Sequence, residues 1–260
     1  MRTSSPWLHN LVLSTLLWGA SPGTAQEFDH THARWTSQLV EFVQNGRVSY
    51  GDWKQSASPR LDAYLAHLAS VEPTSYATWD RPQQLAYWIN AYNAAMIRLV
   101  LDHHPLESVR DIGFLPFAVF RKDVATFAVA GDKPISLNHI EHEILRKQFD
   151  EPRIHFAIVC ASIGCPGLRQ KAYEPANLDA QLDEAARAFV RDPTKNRFDG
   201  TTGILHLSSI FDWFKEDFVG PDGSMTDYIA RFSAEGSEIR SRDKEITILW
   251  NNYDWNLNGD

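Results

Sequence analysis

From Leu85 to Leu101 the chain reads LAYWINAYNAAMIRLVL, and its only strongly polar side chains are Asn90, Asn93 and Arg98. A segment apolar on nearly every face predicts a buried helix. Asp80 and Gln83 have the spacing of a capping box at its start, and Pro105 closes it. Asn90 and Asn93 stand one turn apart on one face, so two primary amides point inward together. A buried amide without partners is costly. The pair therefore either ties neighbouring loops in place or lines a pocket.

Before this helix, ARWTSQLVEFVQNG places Trp35, Leu39, Phe42 and Val43 at helical spacing, with Gly46 as a stop. VSYGDW reads as a short extended piece. SPRLDAYLAHLASV predicts a helix with Ser58 as N-cap, Pro59 at its first position and the stripe Leu61, Leu65, Leu68. After it, ATFAVAGDKPISL predicts a hairpin around GDKP, and SLNHIEHEILRKQF a short helix. RIHFAIVC, uncharged beyond Arg153, reads as a central buried strand. NLDAQLDEAARAFVRD has the pattern of a surface helix, GILHLSSIFDWFKEDF that of a strand running into an aromatic helix, and ITILW that of a last strand before an aromatic tail. Helices come first and strands are scattered among them. The expected fold is α+β, a single domain with N-terminal helices and a buried central helix packed on a small mixed or antiparallel sheet.

The first residues change the setting. Arg2, the apolar run Leu11 to Ala20, and Gly23 and Ala25 before Gln26 have the pattern of a cleaved export signal over residues 1–25. The apolar run is too short for a spanning helix. Residues 26–260 are thus expected as one periplasmic or secreted domain, with no stable membrane insertion after signal cleavage. A net charge of −8 without a basic cluster argues against nucleic acid as a partner. The sequence has no Gly-rich phosphate loop, GxSxG, HExxH or paired CxxC motif, so no cofactor is expected.

Chemistry-bearing residues gather in two stretches. In LNHIEHEILR, His139, His142 and Glu143 share a helix face, but zinc would need further ligands from elsewhere, and no metal is expected. Glu141 lies beside Ile140 and Ile144, as either an ion-pair partner of Arg146 or Arg169 or a carboxylate with a raised pKa. In HFAIVCASIGCPGLR, a straight strand would hold His155 and Cys160 ~16 Å apart on opposite faces. A base for Cys160 would then come from another segment, and His142 is a candidate. A turn through Ser162, Ile163 and Gly164 would bring Cys160 and Cys165 within disulfide reach. The two cysteines form either a disulfide or a working thiol, Cys160, and its neighbour.

The blocks YWINAYNAAMI, IEHEILR, HFAIVCASIGCPGLR and YDWNLN, in this order from Tyr87 to Asn258, resemble the signature blocks of domain-of-unknown-function family 547. The matching positions are Asn90, Asn93, Glu141, His142, His155, Cys160, Ser162, Cys165, Pro166, Asp254 and Trp255; His139 and Glu143 are outside the pattern. Some relatives join this domain to glutaredoxin-like modules, which associates the family with thiol chemistry. Two functions are expected from different classes. One is a thiol- or His-dependent hydrolase or acyl transferase acting on an envelope peptide or similar substrate. Its catalytic candidates are His155, Cys160, Glu141 and His142, and its substrate-binding candidates Asn90, Asn93, Ser162 and Asp254. The other is a non-catalytic cell-envelope module that binds a small molecule, peptide or glycan, with a Cys160–Cys165 disulfide as a local brace.

Overall fold

The computed structural model describes residues 27–113, 117–220 and 223–260, so the expected export signal lies outside the described residues. Its organising element is the helix Arg81–His103. The capping box forms: the Asp80 carboxylate accepts from the Gln83 N–H and the Gln83 side chain accepts from the Asp80 N–H, each at 2.8 Å. Nearly every side chain from Leu85 to Leu101 is buried. The exception is Arg98, which pairs with Asp62 (2.7 Å) on the neighbouring helix Ser58–Ala69. Helices Ala33–Phe42 and Tyr50–Ser56 complete the N-terminal layer, and Trp35 stacks on Tyr64 with planes 5° apart. No described helix is long and apolar enough to cross a membrane.

Three local expectations are corrected. VSYGDW is extended only at Val48: from Tyr50 the chain is helical, and the turn buries Tyr50 and Trp53 together. Gly46 does not simply stop a helix: with Asn45 it forms the positive-φ turn of the hairpin Val43–Gln44 and Arg47–Val48, a geometry that Asn-Gly adopts readily. Ser58 is not the N-cap of its helix. That position falls to Ala57, and the Ser58 hydroxyl donates to the Lys54 carbonyl of the preceding helix.

Strands are few and short. Asp123–Phe127 and Lys133–Ser136 pair as the expected antiparallel hairpin. Ile204–Ser208 pairs antiparallel with Arg197–Asp199 and parallel with Thr247–Asn251. The fold is α+β with small mixed and antiparallel sheets. Two apolar cores carry it, one around the buried helix and one gathering Phe189, Leu207, Phe211 and Phe232.

The larger correction concerns RIHFAIVC, which forms no strand. Pro152–Phe156 is a 3-10 turn and the backbone runs irregularly through Cys160. This segment lies on the seam of the cores, with Phe156 in one and Ile158 and Val159 in the other. Asn93 stands in for a partner strand: its Nδ2 donates to the Ala157 carbonyl and its Oδ1 accepts from the Val159 N–H, both at 2.9 Å. Asn90 holds Tyr173 in the same way, at 2.8 and 3.0 Å. The apolar run signalled burial, and periodicity alone cannot tell a buried strand from other buried backbone.

The chain end straps over the loop that follows. The Ile163 N–H donates to the Asn256 carbonyl, the Gly164 N–H to that of Asp254, and the Asn258 N–H to that of Ala161. The tail is moored beyond the loop by a hydrogen bond from Tyr50 Oη to Asn258 Oδ1 (2.7 Å). Gly164 is required here, because a Cβ would lie 2.9 Å from the Tyr253 ring.

Asn93→Ala leaves a buried carbonyl and a buried N–H without partners, each worth about 1–3 kcal/mol. Urea denaturation of the variant is expected to give a lower midpoint and a stability loss of roughly 2–4 kcal/mol. An unchanged midpoint would contradict the clamp.

Candidate active site

Cys160 follows directly on the clamped segment, and Ala161 behind it is held at φ 60°. A non-glycine residue in the left-handed region costs about 1–2 kcal/mol, and such strain tends to gather at functional sites. The sulfur of Cys160 lies 2.8 Å from Ser162 Oγ and 3.0 Å from Tyr253 Oη. The Cys160 N–H in turn donates to Cys165 Sγ at 2.8 Å. Both cysteines are free thiols. Burial raises the pKa of Cys160, but hydrogen bonds from Cys165, Ser162 and Tyr253 outweigh it and bring the thiol below its ordinary value. Burial and the neighbouring Cys160 push Cys165 the opposite way.

Cys160 and Cys165 line a cavity of about 240 Å³ together with Glu141, His142 and His155. His155 is buried against Phe214, with ring centroids 4.0 Å apart. Its Nε2–H donates to Asp217 Oδ2 at 2.6 Å. Arg146 grips the same carboxylate with two hydrogen bonds of 2.6 and 2.8 Å. Burial opposes the charge on Asp217, yet hydrogen bonds from His155 and Arg146 hold its carboxyl far below the usual range. Burial lowers the pKa of His155 more than Asp217 raises it, so the ring is neutral near pH 7. A neutral ring with its proton on Nε2 leaves the Nδ1 lone pair free, and Nδ1 lies 3.8 Å from Glu141 Oε1.

Glu141 completes the set. Burial first and the charge of Cys160 second raise its pKa to about 7, while Tyr92 Oη donates to it from 3.4 Å. Near neutral pH the cavity thus holds a carboxyl and a thiol that each disfavour the other's ionisation, and both titrate where a proton can be exchanged. His142 Nδ1 accepts from Arg146 at 3.0 Å, and burial with that guanidinium keeps it neutral.

Of the residues singled out in the sequence, His155, Cys160, Glu141 and His142 meet in one cavity. His155 and Cys160 face it together because the backbone between them coils, which removes the separation a straight strand imposes. Ser162 sits behind the thiol, in contact with Cys160 and Tyr253. Asn90 and Asn93 do not line the cavity: both are buried and each amide spends its donor and acceptor on backbone. Asp254 also lies elsewhere, exposed, with its side chain accepting from the Asn256 N–H. Glu141 pairs with neither expected arginine, since Arg146 binds Asp217 and Arg169 binds Glu184. His139 and Glu143 are exposed, and no metal-holding group of His, Cys, Asp or Glu occurs among the described residues. Asp217 and Tyr253 were not identified as site residues from the sequence. Asp217 stands between Phe214 and Phe218, a carboxylate framed by aromatics that hints at partial burial, but no spacing links it to His155 sixty-two positions away.

The raised pKa of Glu141 sets a pH dependence. A carboxyl whose folded pKa exceeds its unfolded value favours folding fully below the unfolded value of ~4.3, and that contribution is lost as pH rises through the folded one. Glu141→Gln removes the loss. Relative to the parent, the variant is expected to gain stability between about pH 4.5 and 7, by up to roughly 3 kcal/mol, in denaturation curves recorded across that range.

Among curated proteins and solved structures none matches this chain. A family model matches residues 76–190, a span that contains Glu141, His155 and both cysteines, while Asp217 and Tyr253 reach the cavity from beyond it. The matching model is that of the family described as Protein of unknown function, DUF547, to which this part of the chain is similar.

Proposed function

We propose that the protein is a thiol-dependent hydrolase or acyl transferase with Cys160 as its nucleophile. The observation that carries this reading is the meeting, in one cavity, of a thiol with a lowered pKa, a carboxyl titrating near 7 and a histidine oriented by a partly buried Asp–Arg pair. Cys160 Sγ attacks a carbonyl carbon and expels the leaving group, forming a thioester. The thiol proton passes to the Glu141–His155 pair and from there to the departing group. Water, or a second nucleophile, then breaks the thioester and returns the thiol. Asp217 keeps the imidazole proton on Nε2 and so Nδ1 basic, the orienting role of the carboxylate in Ser-His-Asp sites.

The reading includes a setting. The export pattern of residues 1–25 supports a periplasmic or extracellular setting, with an envelope peptide or a similar acyl compound as the substrate. There Cys160 and Cys165 close to a disulfide by exchange with a protein disulfide, which takes up their two electrons and two protons and leaves as a dithiol, and the nucleophile is masked until a dithiol restores it.

Two measurements test these statements. Reduced protein is titrated with iodoacetamide across pH 5 to 9, with the site of modification read by peptide mass spectrometry. Cys160 is expected to react with a midpoint below the ~8.5 of a free thiol. In the same assay Asp217→Asn and His155→Gln are expected to move that midpoint. An ordinary midpoint, indifferent to both substitutions, would remove the basis of the proposal. Second, an activated aryl ester should leave an acyl adduct on Cys160 of reduced protein. Oxidised protein and Cys160→Ala should show none, and His155→Gln should form it ~10²–10⁴-fold more slowly.

A further inference from the structure

One wall of the cavity is built unlike the rest. Trp213, at the end of the helix Ser209–Trp213, is 46% exposed, and its ring stacks on Trp255 with centroids 5.7 Å apart and planes 21° apart. Tyr253 fills the angle between them, 4.9 Å from Trp213 and 4.5 Å from Trp255. Phe117, 47% exposed, stands edge-on to Trp255 at 5.4 Å. The four rings form a continuous shelf that opens to solvent at Trp213 and Phe117 and ends at the Tyr253 hydroxyl, 3.0 Å from Cys160 Sγ. Large rings left exposed side by side, beside a cavity, mark a binding surface more often than scattered surface residues do.

The polar groups around it discriminate between occupants. Arg146, Asp217, His142 and His155 are bonded to one another, Tyr92 to Glu141, and Ser162 and Tyr253 to Cys160. Arg121, Asn138, the indole N–H groups, His155 Nδ1 and Glu141 Oε1 remain open, while Phe120, Ile158, Ile210 and Phe214 continue the apolar surface inward. A sugar ring would bring several hydroxyls against this apolar surface, and each one left without a partner there costs about 1–3 kcal/mol. Arg146 and Asp217 pair with each other outside the lining, so among the described residues Arg121 is the one guanidinium that a charged group would meet there. The volume of about 240 Å³ falls below the ~300–1,000 Å³ of sites for drug-sized ligands and suits one side-chain-sized group.

We infer that the shelf is the acyl subsite of the thiol enzyme, and that it selects an uncharged aromatic or similarly apolar acyl group whose face lies on Trp213 and Trp255 while its carbonyl carbon reaches Cys160. The inference rests on the thiol-enzyme reading and names its substrate class. The shelf holds the acyl group by ring contact and desolvation, and Tyr253 joins shelf to nucleophile.

The test uses reduced full chain and three p-nitrophenyl esters: phenylacetate, acetate and succinate. The rate of acylation of Cys160 is followed by intact mass and divided by the rate of each ester with N-acetylcysteine. The normalised phenylacetyl rate is expected to exceed the acetyl and succinyl rates by at least ~10-fold, in line with discrimination by apolar contacts. In Trp213→Ala the phenylacetyl-to-acetyl ratio should fall towards one, and Trp213→Phe should retain part of it. Equal normalised rates for the three esters overturn the subsite while leaving the thiol enzyme standing. If no ester acylates Cys160 faster than N-acetylcysteine, the enzyme reading itself fails. The shelf is then judged by tryptophan fluorescence: quenching by phenylacetamide supports an aromatic-binding site, and quenching by a soluble pyranose oligosaccharide instead overturns it.

Discussion

The bidentate hold of Asn93 on Ala157 and Val159 is the constraint on which the site depends. The backbone from Pro152 to Cys160 runs between two cores, where water cannot satisfy its amides and no strand lies beside it. Buried backbone groups must find partners, and one side-chain amide supplies an acceptor and a donor at the right spacing. Because the hold comes from a helix rather than a ladder, the segment is free to coil. Coiling turns His155 and Cys160 towards one cavity. A regular strand of the same composition would bury equally well and lack the site.

Electrostatics within the cavity follows from pairing. Arg146 and Asp217 form a partly buried ion pair with two parallel hydrogen bonds, the strong geometry for such a pair. Their charges largely cancel at a distance, so what remains to be shared is the negative charge of Glu141 and Cys160. Desolvation raises both groups, but only the thiol receives several hydrogen bonds to its sulfur, and so it ionises more readily than burial alone would allow. Two acids with opposed environments in one cavity are the usual physical basis for dividing acid and base roles.

The C-terminal strap explains why the site is larger than the span matched by the family model. Residues 76–190 supply the thiol, the imidazole and the carboxyl of Glu141. The strap brings Tyr253 against the sulfur and Trp255 to the rim, and the aromatic helix before it brings Trp213, while Asp217 follows shortly after that helix. The close approach of Tyr253 to Gly164 leaves no room for a side chain there. The residues that tune the nucleophile thus lie far along the chain from the nucleophile.

Much of this was legible in the residues themselves. The buried helix, its capping box, the hairpin after Asp123 and the inward pair Asn90 and Asn93 are local consequences of pattern, because helix and turn energetics act over a few residues. Glu141 beside Ile140 and Ile144 was legible as a partly buried carboxyl for the same reason, but not whether it would be paired with an arginine. The strand at RIHFAIVC was misread because hydrophobicity reports burial and not backbone form. The sharing of one cavity by His155 and Cys160, the orienting bond from Asp217 and the placement of Tyr253 were decided only in three dimensions. The last two are contacts across 62 and 93 positions, and no periodicity along a chain encodes which distant carboxylate or hydroxyl will meet a given ring or thiol.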